Sequence, residues 1–207
     1  MSIILEGCSE DISHCLSLEK AGANRIELCS SLKSEGGLTP SFGMASLALE
    51  ELSIPIYPMV RPRGGNFHYS NYEFEIMKKD ILKFKEMGFP GVVFGILTKD
   101  NKVDIEKNKE LVELSRPMKV TFHRAFDETS DPFEALNDII SLGFDRILTS
   151  GQKKSAPEGI DLIIKLIEKA DNKIIIMPGS GLSYKNLSDF HQKVDALEYH
   201  GSTIVNY

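Results

Sequence analysis

Short runs rich in β-branched residues alternate along this chain with longer stretches whose apolar residues recur every three or four positions. Alternation with period two marks a strand and the longer period marks a helix. Strands are expected at 3–8, 25–29, 56–61, 91–95, 120–124, 146–150, 173–177 and 197–200. Amphipathic segments are expected between them, roughly at 10–23, 41–52, 71–88, 104–115, 132–142, 156–170 and 184–194. Ser9, Ser41, Asp104 and Asp131 stand where side chains cap helix starts, and Pro132 suits a first helical position. Gly22, Gly88 and Gly143 stand where helices end.

Eight strands alternating with seven helices predict an α/β fold of one domain, 1–207: a TIM-type (β/α) barrel of eight parallel strands without an eighth helix. An open doubly wound sheet uses the same local units, but its central strands are apolar on both faces. Here each of several strands has one apolar face and one polar face. Ile3 and Leu5 oppose Ile4, Glu6 and Cys8; Ile26 and Leu28 oppose Arg25, Glu27 and Cys29. Val120 and Phe122 oppose Thr121 and His123; Leu197 and Tyr199 oppose Glu198 and His200. With the apolar faces under helices, the polar faces converge on the barrel interior. The chain ends soon after the eighth strand, which leaves a flank uncovered and predicts a homo-oligomer, most simply a dimer.

Composition narrows the class. The formal charge of −6 argues against nucleic acid as partner. No apolar run reaches the roughly 18 residues of a membrane span. The opening Met1-Ser2-Ile3-Ile4-Leu5 has no basic residue before it and is cut off by Glu6, unlike a signal peptide. Three cysteines, an odd number, do not form a disulfide framework. Free thiols without an export signal point to the cytoplasm.

The candidate chemistry lies at strand ends. Glu6, Glu27, Arg61, His123, Glu198 and His200 form an inward ring, suited to acid/base work, to a metal, or to an internal ion network. Cys8 and Cys29 end adjacent strands on the inner face; if their sulfurs meet, they make a soft site suited to Cu(I), with Met59 and Met177 as further soft donors. Arg61-Pro62-Arg63-Gly64-Gly65 reads as an anion clamp. Gly179, Ser180 and Gly181 after strand seven, Gly201 and Ser202 after strand eight, and Ser150 after strand six fit a backbone anion cradle. Asp127 stands where it would orient Arg124 or His123, or act as an acid/base group.

Several segments resemble the CutC copper homeostasis proteins: ANRIELCSSLKSEGGLTPSFG (23–43), VRPRGGNFHYSNYEFEIMKKDI (60–81), GVVFGILTKDNKVD (91–104), VTFHRAFDETSDP (120–132), FDRILTSGQ (144–152), IIIMPGSG (174–181) and YHGS (199–202). They cover nearly the whole chain in order. The resemblance implies a TIM barrel, a cytoplasmic location and a role in copper tolerance, with Cys8 and Cys29 as copper ligands. The alternative from the residues alone is an isomerase, epimerase or lyase acting on a small phosphorylated or carboxylated metabolite. Schiff-base chemistry is not expected, because Lys173 enters strand seven at the end away from the mouth.

Overall fold

The structure is a computed structural model, and it describes residues 3–207. Its elements run β1 (Ile4–Ser9), α1 (Ile12–Lys20), β2 (Arg25–Leu28), α2 (Leu32–Glu35), α3 (Phe42–Glu51), β3 (Ile56–Pro58), α4 (Asn71–Glu86), β4 (Gly91–Phe94), α5 (Ile105–Ser115), β5 (Lys119–Phe122), α6 (Pro132–Leu142), β6 (Arg146–Thr149), α7 (Ile160–Ala170), β7 (Ile175–Pro178), α8 (Leu187–Val194) and β8 (Glu198–Gly201). A 3-10 turn spans Arg124–Glu128. Among the described residues no helix follows β8.

The strand ladders are all parallel and fall into two sheets, ordered β3-β2-β1-β8 and β4-β5-β6-β7. Two single bridges join them, Met59 to Val93 and Gly179 to His200. The result is a TIM-type α/β barrel assembled from two four-stranded halves rather than from one continuous ladder. Among the described residues no helix is long and apolar enough to cross a membrane.

Local chemistry explains where the helices begin. Ser41, Asp104 and Asp131 accept from the backbone N–H of Met44, Lys107 and Glu134 respectively. These bonds satisfy donors that no preceding turn can reach. For α1 the cap is Asp11, which accepts from His14 N, and not Ser9. Ser9 closes β1, and its hydroxyl accepts from Asp11 N at 3.1 Å. Ser70 and Glu73 form a full capping box on α4.

The outer core lies between strands and helices. Gly7 shows how closely α1 packs: a Cβ there would stand 2.8 Å from Leu18 Cδ1. The barrel interior has two levels. The lower holds Glu6, Arg25, Arg146 and Glu198, all buried, with Tyr57 at their centre. Arg25 pairs with Glu6 and with Glu198, and Arg146 Nε reaches Glu198 at 3.1 Å. Both guanidiniums lie against the Tyr57 ring, 5.0 and 5.2 Å from its centroid. Buried charges persist only when paired and hydrogen-bonded, as these are. The upper level opens to solvent and carries the candidate site.

Candidate functional site at the barrel mouth

At the C-terminal ends of the strands a cavity of about 960 Å³ opens, where TIM barrels carry their working sites. Cys8, Glu27 and His200 meet on its floor, with one ligand atom of each within 4.8 Å of the others. Strand pairing brings them together. Cys8 is the ladder partner of Glu27, and β8 pairs with β1 on the other side, where Glu6 faces His200. His200 Nε2 lies 2.9 Å from Glu27 Oε2. Burial alone would lower the His200 pKa, but Cys8 and Glu27 beside it raise it well above its ordinary value. The second Glu27 oxygen, Oε1, is buried without a partner.

Cys29 does not join this cluster. The β1–β2 register sets Cys8 opposite Glu27, and the three clustered donors among the described residues are Cys8, Glu27 and His200. Cys29 packs instead with Tyr57, Met59 and Val93, its thiol 3.6 Å from Glu27 Oε2. Burial, reinforced by the Glu27 charge, pushes its pKa well up and keeps the thiol protonated. Cys15, on α1, is likewise pushed up to about 11, chiefly by burial. Met59 lines the cavity, whereas Met177 lies below it and accepts from Arg25 Nη2 at 3.5 Å.

The expected ring divides between the two levels. Glu6 and Glu198 are absorbed by Arg25 and Arg146 beneath the cavity, while Glu27, Arg61, His123 and His200 line it. Arg25 and Arg146 thus supply counter-charges beyond Arg61, the one arginine of the expected ring. Arg25 alternates with Glu27 in Arg-Ile-Glu-Leu, and that spacing was the available signal.

His123 is buried at the cavity wall. Its Nδ1 accepts from Ala125 N at 3.2 Å, which leaves the proton on Nε2. Burial, and then the positive charge of Arg61, lower its pKa to about 3, so the ring is neutral at physiological pH. Among the described residues Nε2 has no hydrogen-bond partner. Phe67 packs on the ring at 4.9 Å between centroids and also receives the Arg61 guanidinium at 4.8 Å.

The two arginines of the expected clamp differ. Arg61 lines the cavity, held by the carbonyls of Glu35, Gly37 and Gly65. Arg63 turns away to Glu73 at 2.6 Å and to the carbonyls of Gly64, Asn66 and His68, bracing its own loop. Asp127 is a loop organiser. It holds Arg124 Nε at 2.9 Å, accepts Thr149 Oγ1 at 2.5 Å, and accepts the N–H groups of Ser150 and Gln152. It makes no bond to His123. Arg124, Asp127, Ser180, Gly181, Gly201 and Ser202 border the cavity; Ser150 and Gly179 lie behind its wall. Gln152, in the loop after β6, lines the cavity as well, together with Phe67, Lys153, Lys154 and Leu182, which no pattern in the sequence marks.

This fold and this site define a class: a TIM-type barrel with a thiol, an imidazole and a carboxylate converging beneath an open mouth. The chain belongs to the CutC family, whose model matches residues 3–205. It is 46% identical over 199 residues to the human copper homeostasis protein cutC homolog, covering 96% of this chain and 72% of that protein. It is 48% identical over 186 residues to a CutC family protein of Photorhabdus laumondii, covering 90% and 74%. The crystal structure of CutC from Streptococcus agalactiae superposes with a TM-score of 0.92 at 37% identity, covering 98% of this chain and all of that one. The aldolase QR15 superposes with a TM-score of 0.71 at 12% identity, a likeness of fold alone.

Proposed function

We propose that this protein serves copper homeostasis by holding a copper ion at Cys8, His200 and Glu27. The observation that carries the reading is the convergence of these three donors within 4.8 Å on the cavity floor. A thiolate and an imidazole suit copper, and the unpartnered Glu27 Oε1 leaves a third, oxygen donor free. The family's named copper role supports the same reading. Three free thiols agree with a reducing cytoplasm. A homodimer belongs to the reading as well, and sedimentation analysis tests it.

The experiment is competitive titration of Cu(I) under reducing conditions against a chromophoric chelator. Cys8→Ser and His200→Ala are expected to weaken binding by about tenfold or more each, the scale of losing a ligand or its support. Cys29→Ser, outside the cluster, is expected to bind like the native protein. Equal affinity of native and Cys8→Ser proteins sinks the proposal.

A further inference from the structure

A copper ion occupies a small fraction of a cavity of about 960 Å³. That volume lies within the roughly 300–1,000 Å³ of small-molecule sites. Part of its wall is apolar, from Leu32, Met59 and Phe67, which suits an organic body and not a bare ion.

The charges indicate what that body carries. Three arginines are buried: Arg25, Arg61 and Arg146. Arg25 and Arg146 have carboxylate partners, but among the described residues Arg61 has none. Its guanidinium is held by three backbone carbonyls, and Glu35 meets it only through its main chain. Its Nε has no acceptor. Of the other carboxylates lining the cavity, Glu27 pairs with His200 and Asp127 with Arg124, while Glu128 and Glu158 are exposed and form no ion pair with Arg61. A buried cation without a counter-charge is costly, so Arg61 leaves a place for a negative group beside it. Beside it, His123 offers a neutral, unpartnered Nε2–H. An unsatisfied buried donor carries its own desolvation cost.

We propose that the mouth cavity binds a small organic oxyanion, a carboxylate or phosphate monoester, that neutralises Arg61 and accepts from His123 Nε2–H. The anionic group satisfies both orphaned groups at once, and Phe67, which touches both side chains, fixes their spacing. Because His123 is neutral, the group is recognised by one charge and one directed hydrogen bond, not by two cations. This goes beyond the copper reading and does not use Cys8, so either can fail alone.

The test uses the full chain, labelled with ¹⁵N-histidine and freed of metal by chelation. It is titrated with pyruvate and, separately, with glycerol 3-phosphate, against sodium chloride at equal ionic strength. One of the two is expected to shift the His123 Nε2–H resonance saturably, and which one does so distinguishes carboxylate from phosphate. Arg61→Gln is expected to weaken that binding about tenfold or more, as loss of a charged hydrogen bond does. His123→Phe, which keeps the ring packing, is expected to weaken it comparably, and Cys8→Ser to leave it unchanged. The proposal is overturned if neither anion moves the resonance up to about 10 mM, well above ordinary metabolite affinities. It is equally overturned if His123→Phe binds as the native protein does. Should Arg61→Gln fail to fold, the native titration and His123→Phe still decide.

Discussion

Arg146 on β6 donates from Nε to Glu198 Oε2 on β8 at 3.1 Å, and Arg25 on β2 grips the same carboxylate oxygen. One buried carboxylate thus bridges guanidiniums from two different strands below the mouth, with Glu6 balancing the second charge. Removing one partner of such a network leaves buried charge behind, which costs about 3–5 kcal/mol. Glu198→Gln is therefore expected to lower unfolding free energy by about 3 kcal/mol or more in urea. A Glu198→Gln protein as stable as the native one shows that its charge is not what holds Arg25 and Arg146.

Gly91 makes room for Tyr57. A Cβ at this position would stand 2.5 Å from the Tyr57 ring, around which the lower ion network is arranged. Overpacking of this kind costs about 1–3 kcal/mol. Gly91→Ala should lose that much stability by chemical denaturation. Tyr57→Leu in the same chain should restore part of the loss, because the obstructing ring is gone.

His123 links the mouth to acid stability. Its imidazole titrates near 6.5 when free and near 3 in the fold, because burial and Arg61 oppose its charge. Between these values the unfolded chain takes up a proton that the native state refuses. The stability His123 contributes is complete above pH 6.5 and drains away as pH falls toward 3. Nitrogen NMR at pH 5 should show a neutral ring protonated on Nε2. A doubly protonated ring at that pH contradicts both the tautomer and the orphaned donor.

Asp145 behaves in the same direction for a different reason. Burial opposes its charge, but Lys119 at 2.8 Å, the Val120 N–H and Arg116 together hold its pKa below the ordinary value. A carboxyl with a depressed pKa stabilises the fold above its unfolded pKa and ceases to do so as pH falls through the folded value. Asp145→Asn should flatten the acid limb of the stability profile below about pH 4, the ordinary Asp range. An unchanged acid limb removes the assignment.

Helix starts were legible in the sequence because they are local: Asp104 and Asp131 bond to N–H groups three residues on. The division of strands into inner and outer faces was legible for the same reason, since alternation needs no knowledge of neighbours. Register was not. Whether Cys8 faces Glu27 or Cys29 depends on an offset between two strands, and nothing within either strand encodes it. The lower ion network was only half visible, because Arg146 begins a run, Arg-Ile-Leu-Thr, with no polar partner to mark its face. Helix α2, four residues long, and the 3-10 turn at Arg124–Glu128 are too short to leave a periodic trace.

Cys8, Glu27 and His200 ride on β1, β2 and β8, neighbours within one half-shell, whereas His123 follows β5 in the other. Each half is internally stitched by ladders, and the halves meet at the β3–β4 and β7–β8 seams only through isolated bridges. The three donors therefore share one ladder-bonded sheet, whereas a guest that touches both Arg61 and His123 spans the seam between the two sheets.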